Sequence, residues 1–76
     1  MPHIIVKMYP GRSEEQKKLL TERITKEAME VLGVEEKTLS IAFEEIPREK
    51  WNEEVYQPDI IQKESALYKK PGYRPE

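Results

Sequence analysis

The sequence predicts an α/β chain of the α+β kind, a single βαβ unit followed by a short C-terminal helix. Three observations carry that expectation. A segment near the start alternates in apolar character with a period of two. A helical stripe with its own start and stop signals follows, and a second alternating segment comes after it. Strand, helix and strand in that order imply parallel strands joined by a right-handed crossover.

The first strand is expected over His3 to Tyr9, with Ile4, Val6 and Met8 on one face and His3, Ile5, Lys7 and Tyr9 on the other. Ile5 and Tyr9 make the second face partly apolar, so both faces call for cover. Pro10-Gly11 breaks the strand. Ser13 then fits a helix N-cap, and Gln16 completes a capping box. Glu14 and Glu15 suit the positive end of the helix dipole. Leu20, Ile24, Ala28, Val31 and Leu32 form the core-facing stripe, and Glu14/Lys18 and Glu22/Lys26 are spaced to pair on the wet side. Gly33 is the stop.

The second strand is expected over Thr38 to Ile46, with Leu39, Ile41 and Phe43 opposite Ser40, Ala42 and Glu44. Pro47 ends it, and Pro47 to Trp51 has room for one helical turn. Pro58 fits the first position of a second helix running through Leu67 and Tyr68 to Pro71-Gly72. The tail from Tyr73 to Glu76 is expected to be extended. The whole chain, 1–76, reads as one domain without repeats.

Composition bounds the function. Of the 76 residues, 37% are hydrophobic and an equal share is charged, which leaves little to bury. A domain of this size hides only about 60% of the surface of its unfolded chain. Disulfides, a metal or self-association usually make up such a deficit. There is no Cys, so disulfides and thiolate metal sites are excluded, and with His3 as the one His a zinc site would need carboxylates for all its other protein ligands. Self-association remains. A two-stranded parallel sheet also needs cover and paired edges, and a twofold dimer with two βαβ units sharing one sheet supplies both. The net charge of -2 with interspersed signs argues against nucleic acid as a partner. No apolar run reaches a membrane span and no signal segment opens the chain, so a cytoplasmic protein is expected.

Phosphate-binding loops, nucleophile elbows and zinc-protease motifs are absent from the sequence. What remains is Pro2. Initiator Met is normally trimmed before a small second residue, which would leave a free pyrrolidine nitrogen. An ordinary α-amino group titrates near pH 8. Burial or a nearby guanidinium lowers that value toward neutrality, where acid/base transfer is most efficient.

Pro2 behind Met1, the Gly11-Arg12-Ser13 turn and Glu15-Gln16-Lys17 resemble the 4-oxalocrotonate tautomerase family, and the likeness runs through the second strand. Pro2-His3-Ile4, Ser40-Ile41-Ala42, Trp51 and Lys69-Lys70-Pro71-Gly72-Tyr73 are similar to a narrower group of bacterial tautomerases. Those are dimers rather than hexamers and ketonise phenylpyruvate-type enols. The resemblance implies a cofactor-independent keto-enol tautomerase, with Pro2 as base and acid on a 2-hydroxy-enoate or enolpyruvate. It implies Arg12 as the carboxylate ligand and Trp51 as an aromatic wall. Where the founding member has a second arginine, this chain has Ser40, which can hydrogen-bond an enolate but cannot neutralise it. A monocarboxylate substrate is therefore favoured over a dicarboxylate. Arg48 and Arg74 sit at no matching position.

Spacing adds a constraint. Pro2 and Arg12 flank the first strand, and six residues at about 3.3 Å each put them roughly 20 Å apart. Trp51 follows the second strand and belongs at the Arg12 end. The three meet only if a second subunit supplies Arg12 and Trp51 to Pro2. Two alternatives stand beside this reading. One is hydration or dehalogenation of an unsaturated acid driven by the same proline, with Glu53 or Glu54 activating water. The other is a non-catalytic oligomer that binds a small acid or a protein partner. Taken singly, Arg12 reads as a solvated loop residue, Trp51 as a core or interface anchor as readily as a pocket residue, His3 as a structural or surface residue, and Ser40 as a strand residue on a polar face.

Overall fold

A computed structural model describes residues 1–74. Strand β1 spans His3–Met8, helix α1 Glu14–Leu32 and strand β2 Ser40–Glu45. The two strands pair in parallel with His3 opposite Ser40 and Met8 opposite Glu45. At the two ends of the ladder the Ser40 amide donates to the Pro2 carbonyl (3.2 Å) and the Ile46 amide to the Met8 carbonyl (2.9 Å). The expected βαβ unit is present, and each strand is slightly shorter than the alternation suggested. Thr38 belongs to a 3₁₀ turn, Glu36–Thr38, rather than to β2.

Local chemistry sets the helix limits. The Gln16 amide donates to the Ser13 hydroxyl (3.1 Å), and the Ser13 amide donates to the Gln16 side chain (2.9 Å). Gly33 closes the helix with φ 67° and ψ 39°, and its amide donates to the Met29 carbonyl (3.0 Å). The sheet-facing side is half-buried at Lys17, Thr21, Ile24, Thr25, Ala28 and Met29. Lys17 crosses from α1 to Glu45 on β2 (2.9 Å) and also reaches Glu14, so Glu14 pairs with Lys17 and not with Lys18. The hydrogen bond to Glu45 raises the Lys17 pKa, and the same bond lowers that of Glu45.

Two expectations need correction. Val31 and Leu32 are 77% and 58% exposed and are not core. A helix of 19 residues is about 28 Å long, whereas a six-residue strand covers about 20 Å, so the sheet cannot cover the whole helix. The C-terminal helical segment also begins at Asn52 rather than at Pro58. It spans Asn52–Ile61 with the wide turns of a π-helix, and Pro58 lies inside it. In an α-helix the proline ring would strike the carbonyl four residues back, and widening the turn is one way past it. Leu67 and Tyr68 lie beyond the helical segment, after a 3₁₀ turn at Glu64–Ala66. The single turn expected before Trp51 is present as a 3₁₀ turn at Arg48–Lys50.

The buried apolar residues are Ile46, just past β2, and Val55, in the C-terminal helical segment. Ile5, Leu19 and Leu20 remain 40–47% exposed. Lys7, on the sheet face away from α1, is tied to Asp59 of the C-terminal segment, which anchors that segment to β1. The hydrogen bond to Asp59 raises the Lys7 pKa. No helix among the described residues is long and apolar enough to cross a membrane.

Candidate active site

Parallel strands sort the chain's functional groups by end. At the start of the sheet sits Pro2, half-buried, with its carbonyl bound to the Ser40 amide. His3 and Ser40 are direct partners in the ladder and project from the same face. Their side chains meet at 2.6 Å between His3 Nδ1 and Ser40 Oγ. His3 is exposed, and its side chain partners Ser40.

At the far end of the sheet a cavity of about 400 Å³ is lined by Lys7, Met8, Tyr9, Arg12, Trp51 and Tyr73. The turn that delivers Arg12 depends on Gly11, whose φ of 122° is a conformation that side-chain-bearing residues avoid. Trp51 is fixed on two sides. The Tyr9 ring meets it edge-on (5.1 Å, 87°), and its indole N–H donates to the Tyr73 hydroxyl (2.8 Å). Tyr73 in turn packs against Tyr56 at 5.8 Å. Of the cavity's two cations, Lys7 is neutralised by Asp59. Arg12 has neither an ion pair nor a hydrogen bond among the described residues.

The structure thus brings Arg12 and Trp51 together and sets Ser40 beside Pro2, with the length of β1 between the two groups. Glu53 and Glu54 are exposed and do not line the cavity. Tyr9 and Tyr73 are cavity residues that sequence reasoning did not single out as such. For Tyr9 the signal was its place at the end of an alternating strand. For Tyr73 the spacing to Trp51 gives none, because the path of the chain between them decides the contact.

An unpaired guanidinium walled by aromatic rings is suited to a small organic acid. Comparison with known proteins gives that chemistry a context. The family model described as "Tautomerase enzyme" matches residues 2–55, beginning on Pro2. The chain belongs to the tautomerase enzyme family. Among tautomerase relatives, a "Probable tautomerase" of Xylella fastidiosa (strain 9a5c) is 44% identical over 73 residues, covering 96% of this chain and 89% of that protein. "Tautomerase PptA" of Pectobacterium atrosepticum is 45% identical over 74 residues, covering 96% of this chain and 97% of that protein. The solved structure of YwhB, titled a homologue of 4-oxalocrotonate tautomerase, aligns with TM-score 0.60 and 36% identity. That alignment covers 62% of this chain and 77% of that one. The tautomerase reading of the sequence is borne out in family, fold and enzyme class, and this chain is an isomerase of tautomerase type.

Proposed function

We propose that this tautomerase ketonises a small monocarboxylate enol, of the 2-hydroxy-enoate or enolpyruvate type, without a cofactor and with the Pro2 nitrogen as base and acid. Removal of Met1, which is fully exposed, frees the amine. The neutral pyrrolidine nitrogen takes the proton of the enol hydroxyl as the C–O double bond forms. It returns that proton to the adjacent carbon as the C–C double bond is lost, so atoms and charge balance over the cycle. Arg12 pairs the substrate carboxylate. Trp51 walls the substrate from water, and its ring beside the amine disfavours the charged form. Ser40 hydrogen-bonds the developing enolate oxygen, a weaker aid than a second arginine.

The observation that carries this reading is Arg12, without a partner among the described residues, in an aromatic cavity at the opposite end of β1 from Pro2. Because the strand separates them, the working site combines Pro2 of one protomer with Arg12 and Trp51 of another, in a homo-oligomer for which we favour a dimer. Two protomers whose sheets join antiparallel place the start of one β1 beside the end of the other. The protein is expected to act in the cytoplasm as one domain over 1–76.

The test is ketonisation of phenylenolpyruvate by two preparations separated by mass, one trimmed of Met1 and one retaining it. The trimmed form should be active and the retaining form nearly inert, since an amide nitrogen has no basic lone pair. Equal rates would exclude the amine mechanism.

A further inference from the structure

The geometry points to Tyr73 as a second substrate-binding residue of the Arg12 cavity, donating its phenol proton to the carboxylate that Arg12 pairs. This rests on the reading of Arg12 as the carboxylate's partner. An indole N–H can only donate, so at 2.8 Å from Trp51 Nε1 the Tyr73 oxygen must be the acceptor. A phenol oxygen carries one proton and two lone pairs, and Trp51 occupies a lone pair. The proton is therefore turned away from the indole, and no acceptor among the described residues takes it. Tyr56, packed at 5.8 Å and 50° to the Tyr73 ring, holds that ring from a second side. Tyr73 is thus a donor of fixed direction on the wall it shares with Arg12.

The ligand that suits this pair is a carboxylate. A carboxylate offers about four lone-pair sites, of which a bidentate guanidinium uses two. A neutral hydroxyl can fill another without adding charge to a site where Lys7 is already neutralised by Asp59. Arg12 is then the cavity's one cation without a partner among the described residues, and a neutral donor next to it sharpens its preference for acids over isosteric neutral compounds.

Trp51 is the only tryptophan and adjoins the site, so its fluorescence reports binding without turnover. The full Met1-trimmed chain is titrated with phenylacetate and with phenylacetamide, which has the same shape without charge. Tyr73→Phe keeps the ring and its packing against Tyr56, while the Trp51 indole N–H loses its acceptor, a change that bears on both ligands alike. The variant should bind phenylacetate about tenfold more weakly, as expected for loss of one hydrogen bond to a charged group, and weaken phenylacetamide, whose neutral carbonyl is the poorer acceptor, by a much smaller factor. Arg12→Leu reports on the underlying reading and should lose more. If Arg12→Leu weakens phenylacetate binding and Tyr73→Phe does not, the Tyr73 assignment is overturned while the Arg12 reading stands. Equal weakening of both ligands by Tyr73→Phe would reduce its role to packing and overturn the assignment as well. If neither variant matters, or the unaltered protein binds no phenylacetate, both fall.

Discussion

Pro2→Ala and Arg12→Ala each remove one half of the proposed site while leaving the fold's packing alone, since Pro2 is only half-buried and Arg12 is exposed. Each variant alone should be nearly inactive. Strand β1 runs from His3 to Met8, so the two groups lie roughly 20 Å apart in one chain and cannot share a substrate there. In a mixed dimer, the intact Pro2 of the Arg12→Ala protomer faces the intact Arg12 of the Pro2→Ala protomer. The other site of that dimer lacks both groups. Random pairing makes half the dimers mixed, so about a quarter of all sites become whole. The variants are unfolded together in denaturant, refolded together, and assayed for ketonisation of phenylenolpyruvate against each variant refolded alone. Recovery to about a quarter of the unaltered rate is the outcome expected of a site shared across an isologous interface. A mixture no faster than the sum of its parents would refute the shared site and with it the reasoning from strand length.

Two further outcomes are expected. Gly11→Ala meets no atom within 4 Å of the new Cβ, so its cost is backbone strain at φ 122°, about 1–3 kcal/mol in chemical denaturation, together with a raised KM as Arg12 is displaced. Lys17→Met should remove the tie between α1 and β2, and the stability gap from the unaltered protein should depend on pH. Glu45 has its pKa lowered, so its share of the gap is present above the ordinary 4.5 and is lost as pH falls through the lowered value. Lys17 has its pKa raised, so its share is full below the ordinary 10.5 and is lost as pH climbs through the raised value. Thermal melts of both proteins from acid to alkali check this, and a constant gap would contradict it.

The βαβ unit was legible because its signals are local. Ser13, Gln16 and Gly33 cap the helix through neighbours within four residues, and alternation places Ile4, Val6 and Met8 on one face without reference to the rest of the chain. The C-terminal third resisted for the opposite reason. Pro58 at a first helical position is a sound local rule, yet the segment winds through it in wide turns, with Val55 buried. The Val31 and Leu32 positions fit the helical stripe and still lie exposed, since a stripe records spacing and not the length of the surface beneath it. In the candidate site, Pro2, Arg12, Trp51 and Ser40 stood out by resemblance. The bond from Trp51 to Tyr73 and the tie from Lys7 to Asp59 join residues 22 and 52 positions apart, and no periodic pattern encodes such contacts.

The thin interior has a consequence for how the enzyme is handled. With Ile46 and Val55 as its buried apolar residues, a protomer draws much of its cohesion from whatever covers Ile5, Leu19 and Leu20. On the proposed assembly that cover is another copy, so folding follows mass action. Each tenfold dilution weakens the coupled equilibrium by about 1.4 kcal/mol. Protein concentration then becomes a variable of the melting temperature and of the specific activity alike, and neither value has meaning without it.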